Sequence, residues 1–156
     1  MTGDDAGSAP AQPIGYLIRR AQQLHVATWT RVVSSETSSV QYSVMAALDQ
    51  RGGASQRELC EDVDLDRSTI ADLVARMQRR GLVERRRDVS DARRNTVTLT
   101  AHGRAELRRL EPLVERVQEE LVASMTPKAR EALRHGLSAL LARDSSEEDP
   151  SHGPGG

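Results

Sequence analysis

The sequence predicts a mainly α-helical chain carrying one small β-hairpin, and three observations predict it. Apolar residues recur three and four apart through most of the chain, the spacing of one helix face. The exception is a pair of short β-prone runs, LVERRR and TVTLT, set around the polar segment DVSDARRN. The core must also be aliphatic: hydrophobic residues make up 37% of the chain but aromatics only 2%, with no Phe. At 156 residues the chain is long enough for one domain with a core, or for a small domain with added dimerisation helices.

The elements follow in order. Residues 1–13 are mostly Gly, Ala, Asp, Ser and Pro, and read as a disordered tail. Ile14, Leu17, Ile18, Ala21, Leu24, Thr28 and Val32 predict a long first helix that ends near Ser34 and Ser35. A second helix is expected from about Val40 to Gln50, stopped by Gly52 and Gly53. Ser55 to Glu58 is an S-x-x-E capping box that opens a short third helix carrying Leu59, Cys60 and Val63. Asp64, Leu65 and Asp66 make a turn, and Asp66 caps a fourth helix. Its apolar positions, Ile70, Leu73, Val74 and Met77, share one face, and Gly81 closes it. The hairpin comes next. Thr100 then caps a long helix with Leu107, Leu110, Val114, Val117 and Leu121, which Pro112 is expected to kink. Thr126 and Pro127 start a last helix with Leu133, Leu137, Leu140 and Leu141. Residues 144–156, acidic and then Gly/Pro-rich, read as a second disordered tail.

A short helix, a tight turn, a second helix and a hairpin make a winged helix-turn-helix over residues 38–100. In such units the second helix enters the major groove of DNA. Charge agrees with that use. The whole chain carries only −1, but Arg76 to Arg94 holds eight Arg against Glu84, Asp88 and Asp91, a local +5. A solvated charged face would show the same excess. Lys128 is the only Lys, and the planar fork of Arg suits phosphate and guanine.

Opposite its apolar stripe the fourth helix presents Ser68, Asp72, Ala75, Arg76 and Arg79, with Thr69 at the flank. Arg67 or Arg76 can take a guanine bidentately, and Ser68, Thr69 and Asp72 can meet bases directly or through water. Asp72 fits a cytosine amino group, or it simply pairs with Arg76 one turn on. The helix N-terminus itself favours a phosphate. In the hairpin, Arg86 adds a cation, and the tip carries Asp91, Arg93 and Arg94. An Arg at a wing tip suits a narrow A·T minor groove, and Asp91 can hold it in place. Taken by itself the tip reads as a solvated charged turn, and placed right after a recognition-type helix it reads as a wing on DNA.

From Leu65 to Arg86, LDRSTIADLVARMQRRGLVERR resembles the recognition helix and first wing strand of the multiple-antibiotic-resistance regulator (MarR) family. From Asp88 to Gly103, DVSDARRNTVTLTAHG resembles that family's wing, with its Asp-x-Arg element on Asp91 and Arg93 and a Leu-Thr-x-x-Gly lead-in on Leu99, Thr100 and Gly103. Val89 stands where that wing often has Pro, and Ala92 where a second Arg is common. By helix order the resemblance covers Ile14 to Arg143, a single domain over residues 14–143. It implies a homodimer built by residues 14–34 and 101–143, a repressor of transcription, and two recognition helices about 34 Å apart on a pseudo-palindromic operator. It also implies a small phenolic or aromatic acid effector between the dimerisation helices and the winged unit. His25, Trp29 and Tyr42 would line that pocket, with Arg19 or Arg20 for a carboxylate. From the residues alone, ordinary interhelix packing is the readier explanation of Trp29 and Tyr42, which favour half-buried sites.

Other chemistry finds little support. Cys60, the only cysteine, reads as a core residue before a redox sensor and excludes an intrachain disulfide. His25, His102, His135 and His152 have no metal-ligand spacing. No phosphate loop, G-x-S-x-G or H-E-x-x-H appears, so neither an enzyme nor a cofactor is expected. No apolar run suggests a membrane span and no signal peptide starts the chain, so the expected location is cytoplasmic. The rival reading is a winged-helix module that binds protein and never DNA.

Overall fold

The computed structural model describes residues 11–87, 89–90 and 95–142. Its elements come in the predicted order: α1 Ile14–Val32, α2 Ser39–Arg51, α3 Gln56–Val63, α4 Arg67–Arg79, β1 Val83–Arg87, β2 Asn95–Leu99, α5 Ala101–Leu121 and α6 Pro127–Ala142. The chain divides into two compact units, residues 1–118 and residues 119–156.

In the first unit, caps set the helix boundaries. α2 starts on a capping box that the sequence reading passed over. Ser38 Oγ accepts from the Gln41 amide at 3.2 Å, and Gln41 Oε1 accepts from the Ser38 amide at 3.1 Å. The same box opens α3, between Ser55 and Glu58. Asp64 ends α3 in the left-handed region at φ 54°, a conformation Asp tolerates because its short side chain bonds locally. α4 ends on Gly81, at φ 71°. The Gly81 amide donates to Gln78 O and the Leu82 amide to Met77 O, at 3.0 and 2.9 Å. These two bonds are the Schellman pattern, and they turn the chain directly from α4 into β1.

The hairpin is antiparallel, with Val83 opposite Leu99 and Arg87 opposite Asn95. A third piece joins it: Ala54 pairs with Val97 through two bonds of 3.0 and 2.8 Å. That bridge ties the lead-in of α3 to the base of the wing. Val44, Met45, Leu59, Ile70, Val74, Met77, Leu82, Val97, Leu107 and Leu110 are buried in one cluster. The cluster fixes α4 by its predicted apolar face, so its other face must look outward. α5 is capped by Thr100, whose Oγ1 accepts from the Gly103 amide at 2.9 Å and donates to Gly81 O at 2.6 Å. The helix continues across Pro112, which is exposed. There the Arg108 carbonyl, lacking its helical donor, can turn to water.

In the second unit α6 is capped by Thr126, whose Oγ1 accepts from the Ala129 amide at 3.2 Å, with Pro127 in the first turn. Leu133, Leu137, Leu140 and Leu141 are all exposed in the single chain. In the first unit the same holds on α1 for Ile14, Leu17, Ile18 and Leu24. Among the described residues no helix is long and apolar enough to cross a membrane.

Candidate nucleic-acid interface

The site is built on α4. Ile70, Val74 and Met77 are fully buried and Leu73 nearly so. Ser68, Asp72, Arg76 and Arg79 are exposed on the opposite side, Thr69 is half-buried at the flank, and Arg67 is exposed in the first turn, on the side of Val74. The structure therefore brings Ser68, Thr69, Asp72, Arg76 and Arg79 to one side of this helix and leaves Arg67 at its N-terminal end, apart from that face. No ion pair joins Asp72 to Arg76 among the described residues, so each is open to a partner from outside.

The start of α4 is more tightly organised than the sequence suggested. Asp66 Oδ1 accepts from the Thr69 amide at 2.8 Å and from Ser68 Oγ at 2.7 Å, while Oδ2 accepts from Thr69 Oγ1 at 2.8 Å. A carboxylate thus occupies the place where a phosphate would sit at a helix N-terminus. Both hydroxyl protons point at Asp66, which leaves Ser68 and Thr69 their lone pairs. On DNA they would accept from a base amino group, or give up Asp66 to donate. The bonds from the Thr69 amide and the two hydroxyls hold the Asp66 carboxyl down to about 2. Its folded value lies below the ordinary 3.8, so its cap is fully present above about pH 4 and is lost as pH falls toward 2. Acid titration followed by the Thr69 amide resonance should show this step, and Asp66→Asn should abolish it. An unchanged step in the variant would assign it to another group.

Toward its C-terminus α4 borders a groove of about 490 Å³. Arg76, Arg79 and Arg80 line it with Ser38 and Gln41 from the start of α2. On the wing, Arg86 is exposed but held by Glu84, at 2.6 Å from Nη2 and 2.9 Å from Nε. Arg85 and Arg87 are exposed beside it. The run of three Arg was the signal for them, but alternation along a strand did not single them out. Asp91, Arg93 and Arg94 lie outside the described residues.

The residues assigned to an effector divide. His25, Trp29 and Tyr42 come together: ring centroids are 6.1 Å apart for His25 and Trp29 in a T-shaped pair, and 5.9 Å for Trp29 and Tyr42. They border a cavity of about 950 Å³ between α1, α2, the end of α3 and α5. The Tyr42 hydroxyl is raised above its ordinary value, first by burial and then by Glu111 and Glu115. Arg19 is elsewhere, its guanidinium 5.4 Å from the centre of the Tyr16 ring, and does not line the cavity. The cation that does is Arg51, which donates through Nε and Nη2 to the two oxygens of Asp62. Sequence reasoning missed this pair, because eleven residues separate its members. Cys60 is a half-buried free thiol packed against the core, and the described residues hold no cluster of three metal-ligating side chains.

With this geometry in hand, comparison with known proteins gives consistent matches. A family model described as MarR family matches residues 37–94. The chain is 35% identical to the transcriptional regulator HosA of Escherichia coli over 114 residues, 73% of this chain and 84% of HosA. It is similar to the solved structure of the PcaV transcriptional regulator of Streptomyces coelicolor in complex with its natural ligand, at 39% identity and a TM-score of 0.79, covering 91% of this chain and 99% of that one. It is also similar to the transcriptional repressor CouR bound to a 23-mer DNA duplex, at 29% identity and a TM-score of 0.76, covering 83% and 92%.

Proposed function

Because the chain belongs to the MarR family, a family of transcription regulators that bind DNA and catalyse nothing, we propose that it represses transcription as a homodimer on a pseudo-palindromic operator. The observation that carries this reading is α4: its apolar stripe is sealed into the core, and its outward face carries Ser68, Asp72, Arg76 and Arg79 with the small Ala75 among them. CouR, solved on duplex DNA, shares the fold. Arg67, Ser68, Thr69, Asp72, Arg76 and Arg79 are assigned to the major groove and its phosphates, and Arg86, Asp91, Arg93 and Arg94 to the wing.

Residues 38–100 make up the DNA-binding unit, and residues 14–34 and 101–143 the dimerisation helices. The uncovered apolar faces of α1 and α6 support the dimer, since a soluble chain seldom leaves such stripes in water. The cavity beside His25, Trp29 and Tyr42 is assigned to a small phenolic or aromatic acid that releases the operator. PcaV, solved with its natural ligand, supports a ligand here. The protein works in the cytoplasm, where its operator is.

Arg76→Ala tests the assignment of α4. It should lower affinity for the operator about 10- to 100-fold and relax the preference at one base position in each half-site. Arg93→Ala should weaken binding most where the flanking minor groove is narrow and A·T-rich. Equal affinity of parent and Arg76→Ala on the same labelled duplex would remove α4 from the interface.

A further inference from the structure

The end of α4 is fastened to the cavity wall by a side chain that the DNA reading does not use. Arg80 is the C-terminal cap of α4, and its amide donates to Arg76 O at 3.1 Å. Its side chain reaches back across more than forty residues of sequence. Nη1 donates to Glu36 O and Nη2 to Thr37 Oγ1, both at 3.0 Å. Thr37 is only 1% exposed. Its carbonyl accepts the indole N–H of Trp29 at 2.7 Å, and Trp29, 5% exposed, faces His25 and Tyr42 in the cavity wall.

We propose that Trp29, Thr37 and Arg80 form a strap that transmits the state of the cavity to the C-terminal end of α4, with Arg80 as its positioning residue. The proposal rests on the effector reading for what fills the cavity, but the strap itself belongs to the free protein. The two links through Thr37 are hydrogen bonds to a buried residue, so losing a partner there leaves a desolvated donor or acceptor behind, while the bond to Glu36 O is exposed. A ligand that turns the indole must therefore break its bond to Thr37 or move Thr37 with it. Thr37 and Glu36 together hold the guanidinium, and the guanidinium sits one residue before the Gly81 turn into the wing. A shift there moves Arg76, Arg79 and the first wing strand as one body. Linkage makes the effect mutual: whatever α4 does on DNA must return to Trp29.

Trp29 is the only tryptophan, so its emission reads the strap directly. A labelled operator duplex is titrated with anisotropy and tryptophan emission followed together, without and with 4-hydroxybenzoate as probe. In the parent, emission should change in step with duplex binding, and bound duplex should weaken the probe about tenfold, within the usual range of coupling. Arg80→Lys keeps the charge but not the two-pronged grip. It should bind duplex and probe separately, while the emission change disappears and the tenfold factor falls to about one. An emission change of the same size in Arg80→Lys, or none in the parent at saturation, would overturn the strap.

A probe that does not bind would count against the effector reading alone, and the emission arm still decides the strap. A duplex that does not bind would count against the DNA reading. The strap is then decided in the free protein by hydrogen exchange at the Gly81 and Leu82 amides. Faster exchange in Trp29→Phe than in the parent supports transmission along the strap, and equal exchange overturns it.

Discussion

Gly103→Ala should cost the protein about 3 kcal/mol, a fall of about 10 °C in Tm. A methyl group at this position would stand 2.0 Å from the Leu82 carbonyl oxygen, 3.0 Å from its carbon and 3.1 Å from Leu99 Cδ2. The first of these contacts cannot relax by swinging a side chain, because it meets backbone. That backbone is itself pinned: Leu82 O accepts from the Thr100 amide at 3.1 Å, and the Leu82 amide is held by Met77. α5 must therefore move away from the junction where α4 turns into the wing. Loss of stability should come with loss of operator binding beyond what the unfolded fraction explains, since the junction sets the angle between recognition helix and wing. Thermal unfolding followed by circular dichroism checks the first part. A change of less than about 1 kcal/mol would mean that α5 does not approach the Leu82 backbone this closely.

Leu137→Asp should convert the dimer to monomer at micromolar concentration and lower operator affinity by more than about 100-fold. Leu137 lies with Leu133, Leu140 and Leu141 on the uncovered face of α6. A carboxylate buried without a partner at a subunit seam costs roughly 3 kcal/mol or more. The single chain gives no reason for damage, because this side chain is 43% exposed there. Ser138→Asp, on the polar side of α6 with Glu131 and Arg134, should leave both dimer and binding in place. Light scattering after size exclusion reads the mass. A Leu137→Asp variant that remains dimeric and binds the operator normally would place the subunit seam elsewhere.

The sequence made the local fold legible where one residue carries the reason. Asp66, Thr100 and Thr126 announced helix starts because each offers an oxygen to bare amides of a first turn. Gly81 announced an end because α4 must leave through a left-handed residue. The apolar period of Ile70, Leu73, Val74 and Met77 fixed which face of α4 is outward, and with it the candidate DNA face. Ser38 with Gln41 was equally readable, and placing the start of α2 near Val40 overlooked it. The Ala54–Val97 bridge was not readable, since a single paired residue has no period.

The rest depended on contacts between distant residues. Nothing near Arg80 in sequence indicates that it holds Glu36 and Thr37. The family resemblance implied Arg19 or Arg20 for a carboxylate, but the Arg19 guanidinium stacks on Tyr16 and neither lines the cavity, while Arg51 reaches it from the end of α2. Asp66 was legible as a cap, and its grip on the Ser68 and Thr69 hydroxyls was not. That grip changes what those two residues can offer a base.

On a duplex site, α4 and the wing are expected to act as a pair in each of two subunits. This is tested most directly by fluorescence anisotropy of the purified protein on duplexes tiled across its own upstream region, repeated over a salt series. One pseudo-palindromic duplex should be bound tightly by two subunits, with affinity falling roughly 1,000-fold or more between about 50 and 200 mM salt as condensed counterions are released. Weak binding, equal on every duplex and flat with salt, would contradict it and turn the winged unit toward a protein partner.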